Sequence, residues 1–168
     1  MKPTPVIWAS WLSFLLYCTA ELAVSGVDET TRLAQLEKFW SEIQAAVENG
    51  DYDMYKATCH PSGVLVSGAK KTSYPLSKAL AGWKQGFLDT KSGKMKAGVE
   101  FRFSQRLGDE TTAHETGIFH YWTVAANGIR NDDYVNFEAL LVKENGWQTL
   151  MEYQKAATSE NEWEKLKR

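Results

Sequence analysis

The sequence has 168 residues, of which 43% are hydrophobic, and a formal net charge of −2. A chain of this length and composition can bury the hydrophobic core of one globular domain. Its 19 basic residues are scattered among 21 acidic ones, which excludes the clustered positive charge that a nucleic-acid-binding surface requires. We therefore expect a globular protein with no nucleic-acid partner.

Residues 1–20 have the pattern of a signal peptide that is removed. Lys2 precedes an apolar run from Val6 to Tyr17, and Cys18 and Ala20 are small residues at the two positions that signal peptidase reads. The alternative is a retained membrane anchor, but the run is shorter than the ~20 apolar residues that span a bilayer. We predict cleavage after Ala20 and a secreted or periplasmic protein that has no membrane contact afterwards.

Cleavage would leave Cys59 as the only cysteine, so an intrachain disulfide is excluded and the core alone must stabilise the fold. We interpret Cys59 as a small buried hydrophobic residue rather than a reactive thiol. The sequence contains no Asn-X-Ser/Thr acceptor, and we expect no N-linked glycan.

The next part of the chain predicts two helices. Asp28 is a suitable N-cap for the first, which is expected to end at Asn49-Gly50. Its apolar stripe has helical spacing and consists of Leu33, Leu36, Trp40, Ile43 and Val47. Asp51 can cap a short second helix over residues 51–59, which must end before Pro61 because the residue preceding a proline avoids helical dihedral angles.

A short strand is expected from Gly63 to Ser67, followed by a loop and a third helix. Pro75 suits the first turn of this helix, whose apolar face consists of Leu76, Leu80, Trp83 and Phe87. Gly82 and Gly86 lie inside the helix, and we interpret them as a close packing contact with another helix.

Four long strands are expected at residues 95–107, 111–126, 129–143 and 147–157. Asn127-Gly128 and Asn145-Gly146 are strong signals for two-residue hairpin turns, because both residue types tolerate positive φ. The strands therefore predict an antiparallel meander. A polar tail follows, either a loose helix or disordered, in which Trp163 is the one apolar anchor.

Turn geometry predicts which side chains share a face of this sheet. Two-residue turns place Thr116 opposite Ala139 and Ala139 opposite Glu152, and a turn at Gly108-Asp109 places Phe101 opposite Thr116. The face that meets the helices is then predicted to carry Val99, Phe101, Phe103, His114, Thr116, Ile118, His120, Val135, Phe137, Ala139, Leu141, Leu150, Glu152 and Gln154. A one-residue bulge in either hairpin would move His114 and His120 to the other face.

Several motifs resemble one superfamily. They are A-x-E-x-G at Ala113, Glu115 and Gly117, Tyr134, N-G-W at Asn145 to Trp147, and an acid, Glu152, five residues after that tryptophan. Together with the order of the elements they resemble the nuclear-transport-factor-2-like superfamily, in its SnoaL-like, ketosteroid-isomerase-like branch. The resemblance runs from Leu33 to Ala157. It implies a SnoaL-like domain at residues 28–157, followed by a polar C-terminal tail at 158–168.

The resemblance implies a fold and a pocket. The fold class is α+β, a cone-shaped cystatin-like roll in which three N-terminal helices pack on a strongly bent antiparallel sheet around a pocket at the open end. Homodimers through the outer face of the sheet are frequent in the superfamily. Its members include isomerases, dehydratases, epoxide hydrolases, polyketide cyclases, ligand sensors and inert binding modules.

Glu152 and His114 are the candidate catalytic residues. On an apolar face, desolvation would raise the pKa of Glu152 toward neutrality, and His114 is the nearer histidine by register. The candidate ligand-binding residues are Trp40, Tyr55, Trp83, Phe101, Thr116, His120, Phe137 and Gln154. The alternatives are that Glu152 pairs with Lys155 or a helix end, that each histidine bonds a backbone carbonyl, and that the aromatic residues only pack the core.

The function predicted from the sequence is an exported domain whose apolar pocket binds a small hydrophobic or amphipathic molecule. Acid/base chemistry of isomerase, cyclase or hydrolase type is the enzymatic form of this prediction. Such proton transfer needs no cofactor, and no three ligands have the spacing of a metal site. The alternative is a non-catalytic module for ligand binding, dimerisation or protein contacts, and fold resemblance does not choose between them.

Overall fold

The computed structural model of the chain describes residues 28–166. The predicted signal peptide and its cleavage after Ala20 lie outside the described residues. The elements are α1 (Glu29–Asn49), α2 (Tyr52–Ala57), β1 (Cys59–Ser67), β2 (Thr72–Pro75), α3 (Leu76–Lys91), β3 (Met95–Gly108), β4 (Thr112–Ala125), β5 (Arg130–Lys143), β6 (Trp147–Ala157) and α4 (Glu160–Lys165). Within residues 28–166, no helix is both long enough and apolar enough to cross a membrane.

Helix α1 supplies most of the helical part of the core. It follows Asp28, whose side chain makes no capping hydrogen bond, and it ends at Gly50 in the left-handed region with φ 64°. A Cβ atom at Gly50 would also overlap the backbone of Phe87 and Lys91 in α3. Both the positive φ and this close approach therefore favour glycine at position 50. The buried residues of α1 are Arg32, Leu36, Phe39, Trp40, Ile43, Ala46 and Val47.

Helices α2 and α3 begin where the sequence predicts. The Asp51 carboxylate accepts a hydrogen bond from the Met54 amide at 3.0 Å, and α3 starts directly after Pro75. Helix α2 is shorter than predicted, because β1 already begins at Cys59. Strand β2, a short edge strand in the predicted loop, pairs antiparallel with β1.

The sheet has six strands in the order β2-β1-β6-β5-β4-β3. Strands β3 to β6 form the predicted antiparallel meander. The prediction that the whole sheet is antiparallel is wrong, because β1 pairs in parallel with β6. The last long strand therefore lies inside the sheet, between the first strand and β5.

The β4–β5 turn corrects the predicted faces of β4. The Ala125 amide donates to the Ile129 carbonyl at 2.9 Å, so the loop has three residues with Gly128 at φ 81°, rather than two. This single extra residue places Glu115, not Thr116, opposite Ala139. Because side chains alternate along a strand, four residues predicted on the inner face lie on the outer face: His114, Thr116, Ile118 and His120.

The β5–β6 hairpin contains two departures that cancel. Its loop also has three residues, since Lys143 rather than Glu144 pairs with Trp147. Strand β6 then has a bulge at Leu150, which has no partner between Thr149 and Met151. The bulge restores the predicted pairing of Ala139 with Glu152. Leu150, which was predicted on the inner face, has no pairing partner on β5.

Residues from the polar tail form α4 over one end of the outer face. The Ser159 hydroxyl accepts from the Glu162 amide, and Trp163 is 3% exposed. The Arg102 guanidinium lies 4.3 Å from the centre of the Trp163 ring and donates to the Trp163 carbonyl at 3.0 Å. The predicted apolar anchor thus closes a part of the sheet surface that would otherwise face solvent.

Candidate functional site

A cavity of about 490 Å³ lies between the inner face of the sheet and the helices. Seven of the residues predicted for the site line it: Trp40, Tyr55, Trp83, Phe101, Phe137, Glu152 and Gln154. Three predicted site residues, His114, Thr116 and His120, lie on the outer face and do not reach it. Apolar and aromatic side chains dominate the wall, which is typical of cavities that take organic ligands.

Helix α1 and the meander provide one aromatic wall of the cavity. The Trp40 ring lies 4.5 Å from Phe101 and 5.9 Å from Phe137, centre to centre. Phe119 of β4 packs against Phe137 at 5.7 Å. Trp40 is 5% exposed, so these aromatic residues both pack the core and line the cavity, and the two interpretations of the sequence are compatible.

Helices α2 and α3 provide the opposite wall. The Tyr55 ring contacts Trp83 edge-on at 6.0 Å and Phe87 at 5.0 Å. Gly82 and Gly86 also line the cavity, and a Cβ atom at either one would meet no other atom within 4 Å. Their interpretation as a helix packing contact is therefore wrong, because open space of the cavity, and no second helix, lies beside them.

Glu152 lies on β6, opposite Ala139 of β5 and Leu65 of β1. The Gln154 amide donates to its carboxylate at 2.7 Å. Burial raises the pKa of Glu152 above the usual glutamate value, and the hydrogen bond from Gln154 opposes that rise. Lys155, the alternative partner, instead binds Glu138 at 2.6 Å on the outer face. Glu152 is thus a carboxyl group in an apolar wall with an amide as its partner.

Two proton-bearing groups lie near this carboxyl group. Burial raises the pKa of Tyr55 well above its usual value, and the negative charge of Glu152 raises it further. The same two causes, in the same order, raise the pKa of Cys59 to about 12. Both groups hold their protons at neutral pH and can donate hydrogen bonds to a ligand.

Tyr121 and Asp133 add a second polar region to the cavity, and they were not predicted. They pair across β4 and β5, and burial together with the charge of Asp133 raises the pKa of Tyr121. The signal was present in the sequence, because a three-residue turn at Asn127-Gly128 would have placed Tyr121 on the inner face.

The histidines have partners on the outer face. His114 Nε2 lies 3.4 Å from a Glu138 oxygen, and His120 Nε2 lies 2.7 Å from Asp132 Oδ1. The His120 ring also stacks on Tyr134 with 4.3 Å between centres. The prediction that His114 assists Glu152 fails on geometry, since the two side chains project from opposite faces of the sheet.

Comparison with solved structures identifies the fold. An NTF-2-like protein of unknown function from Shewanella oneidensis superimposes with a TM-score of 0.56 and 16% identity, over 73% of this chain and 97% of that chain. A ketosteroid isomerase-like protein from Erwinia carotovora gives a TM-score of 0.53 and 17% identity, over 73% and 93% of the two chains. This chain has the nuclear-transport-factor-2-like fold.

A third solved structure with this fold is described as a putative calcium/calmodulin-dependent protein kinase II association domain, from Xanthomonas campestris. Its TM-score is 0.55 with 20% identity, over 79% of this chain and 89% of that chain. No protein-family model and no curated protein matches the sequence. Likeness at this level establishes the nuclear-transport-factor-2-like fold and leaves function to the site.

The A-x-E-x-G motif has a structural role in this nuclear-transport-factor-2-like chain. Glu115 is completely buried, and it binds Arg106 Nε at 2.6 Å and the indole N–H of Trp40. Arg106 also pairs with Glu37 of α1. We call these four residues the Glu115 cluster. The face prediction missed it, because the assumed two-residue turn placed Glu115 in solvent.

The part of the chain that the structure describes contains no candidate metal site. Across residues 28–166, no three His, Cys, Asp or Glu side chains come together in an arrangement that could hold an ion.

Proposed function

We propose that the chain is an exported domain that binds a small organic molecule in its inner cavity and transfers protons to and from it through Glu152. The observation that supports this most is the placement of one desolvated carboxyl group, that of Glu152, in a mainly apolar wall. Enzymes create a carboxyl group that exchanges protons near neutral pH by this kind of burial. Cavities of ~300–1,000 Å³ bind drug-sized ligands, and this one falls within that range.

The proton-transfer step uses groups that already face the cavity. Ionised Glu152 removes a proton from carbon next to a ligand carbonyl, and Tyr55 donates a hydrogen bond to the oxygen on which negative charge develops. Glu152 then returns the proton to the same carbon or to a conjugated position. The step is balanced without a cofactor.

Ligand binding without catalysis is the second candidate. It is favoured by the position of His114 on the outer face, which leaves an amide, Gln154, as the hydrogen-bonding partner of Glu152. An amide can orient the carboxyl group but cannot relay a proton. The two candidates share the cavity and differ only in whether Glu152 reacts.

The cavity is tested with 1-aminoanthracene, an uncharged fluorophore that brightens in apolar sites. We expect saturable binding to the wild type. Gly86→Phe places a ring in the open space beside α3 and should weaken binding by about tenfold or more, because it fills the ligand volume. Gly86→Ala is the matched control and should bind as the wild type does. Equal binding by Gly86→Phe would exclude the cavity as the site.

Catalysis is tested with 3-cyclohexenone, whose conversion to the conjugated ketone requires removal of a proton next to the carbonyl and its return two carbons away. We expect the wild type to accelerate this conversion, and Glu152→Gln to lower the rate by about 10²-fold or more. Glu138→Gln removes an equal charge on the outer face and should leave the rate unchanged. Equal rates for wild type and Glu152→Gln would favour binding without catalysis.

Export and dimerisation are parts of the same proposal that need separate tests. Mass spectrometry of the protein recovered outside the cytoplasm should give a chain that begins at Glu21, if cleavage follows Ala20. Analytical ultracentrifugation tests the homodimer through the outer sheet face. Because α4 packs on Arg102 of β3, His120 of β4 and Tyr134 of β5, a dimer would use the part of that face that α4 leaves uncovered. A sedimenting monomer at micromolar concentration would exclude it.

A further inference from the structure

The charges around the cavity have one sign. Its described lining contains two carboxyl groups, Glu152 and Asp133, and no lysine, arginine or histidine from residues 28–166. The other ionisable groups are Tyr55, Cys59 and Tyr121, whose raised pKa values keep them neutral at pH 7. A ligand that enters this cavity meets negative charge or none.

Among residues 28–166, no cation pairs with Glu152. Its hydrogen-bonding partner is neutral Gln154, and the groups that face it from α2 and β1 are the neutral Tyr55 and Cys59. On the far side of Ala139, Arg106 is already held by Glu115 and Glu37. A buried carboxylate without a counter-ion is costly, and a positively charged ligand would supply the missing charge.

The aromatic walls favour the same ligand. The rings of Trp40, Tyr55, Trp83 and Phe101 line the cavity, and the faces of such rings attract organic cations, most strongly where water is excluded. An anionic ligand would face both the carboxyl groups and the negative faces of the rings. Charge and aromatic composition therefore select against carboxylates, phosphates and sulfates.

Accordingly, we infer that the cavity selects organic cations: a protonated or quaternary amine on an apolar body, with the positive nitrogen at Glu152. The inference rests on the binding part of the proposed function, because a carboxylate that is paired with the ligand's nitrogen does not also remove a proton from carbon. Asp133 lies six residues along β5 from Ala139, the residue that pairs with Glu152, and this is a separation of about 20 Å along the strand at ~3.3 Å per residue. It therefore attracts the cation toward the cavity and does not share it with Glu152.

The test is displacement of 1-aminoanthracene by three naphthalene compounds of similar size whose polar groups are positive, neutral and negative. They are 2-(2-naphthyl)ethylamine, 2-(2-naphthyl)ethanol and the carboxylate of 2-naphthaleneacetic acid. We expect the amine to displace the fluorophore at a concentration about tenfold or more below that of the alcohol, because a charge-assisted contact with a desolvated carboxylate is about twice as strong as a neutral one. The acetate should be the weakest of the three.

Glu152→Gln should remove the advantage of the amine over the alcohol and leave binding of the alcohol within about twofold. Glu138→Gln, the outer-face control, should keep the wild-type order. With the wild type, the amine should bind more tightly as the pH rises from 4 to 8, because binding favours ionised Glu152. Its affinity for Glu152→Gln should be flat over that range.

The outcomes separate this inference from the proposal beneath it. If the fluorophore binds but amine and alcohol compete equally, or the acetate competes best, the cation inference is overturned while the cavity remains a binding site. If neither the fluorophore nor any of the three compounds binds, the proposed function fails and the inference fails with it. Loss of folding by Glu152→Gln would leave the wild-type series to decide.

Discussion

Two carboxyl groups flank Ala139 on the inner face, and their surroundings differ. Glu115 and Glu152 pair with Ala139 from either side, which places their strands about 10 Å apart at ~4.8 Å per strand. Glu115 is neutralised by Arg106 and bonded to Trp40, whereas Glu152 has an amide partner and a raised pKa. The first carboxyl group has its charge and hydrogen bonds satisfied within the fold, whereas the second is desolvated with only an amide as its partner, as the proposed ligand site requires.

Arg106→Ala should have the largest effect on this comparison. It leaves Glu115 ionised and buried without its cation, which typically costs about 3–5 kcal/mol of unfolding free energy. Urea unfolding followed by tryptophan fluorescence measures the loss. Lys155→Ala breaks the partly exposed pair with Glu138 and should cost less than about 1 kcal/mol. Equal losses of unfolding free energy in the two variants would mean that burial does not strengthen the dependence of Glu115 on its cation.

Ala139→Leu tests whether the space between the two carboxyl groups must stay small. Ala139 is fully buried and lines the cavity, so the added carbon atoms should overpack the site and cost about 1–3 kcal/mol. Binding of 1-aminoanthracene should weaken in the same variant. A stable variant that binds as the wild type does would show that this part of the wall can move.

Glu152→Gln should stabilise the protein in a pH-dependent way. Because burial raises the folded pKa of Glu152 above its unfolded value, the protonated form contributes stability below the unfolded pKa. That contribution is lost as the pH rises through the folded pKa. The variant should therefore match the stability of the wild type near pH 4 and be the more stable of the two near pH 8. A difference that is independent of pH between 4 and 8 would contradict the assignment.

Deletion of Ala126 should have the smallest effect. It converts the three-residue β4–β5 loop into the Asn-Gly turn that the sequence favours, while Ala125 still opposes Ile129, so both carboxyl groups stay on the inner face. The unfolding free energy should change by less than about 1 kcal/mol, and amide exchange along β4 should be retained. Loss of cavity binding would show that the turn influences the wall through more than its register.

The boundaries of most elements were predictable because each has a local cause. Asp51 caps α2, Pro75 precedes α3 and Gly50 ends α1, and each acts through its own backbone geometry. The parallel pairing of β1 with β6 was not predictable in this way. It joins residues about ninety positions apart, such as Leu65 and Glu152, and no local pattern specifies such a partner.

The site was predicted where register errors happened to cancel. Glu152 was placed on the inner face correctly, but only because the bulge at Leu150 offsets the extra residue in the β5–β6 loop. No such compensation occurs in β4. There the prediction placed Thr116 and His114 on the inner face, where the structure has Glu115. Asn-Gly occurs in both two- and three-residue hairpins, so the dipeptide marks a turn without fixing its length.

The interior position of β6 in the sheet has a consequence for the rate at which the chain folds. Residues 147–157 join β1 to strands β3–β5, so β1 and β2 stay separate from the meander until β6 has formed. Pairing over such long sequence separations is slow to form. If the leader predicted at residues 1–20 carries the chain across a membrane in an extended form, this slow pairing would keep the chain unfolded during the passage, and the inner cavity would form afterwards.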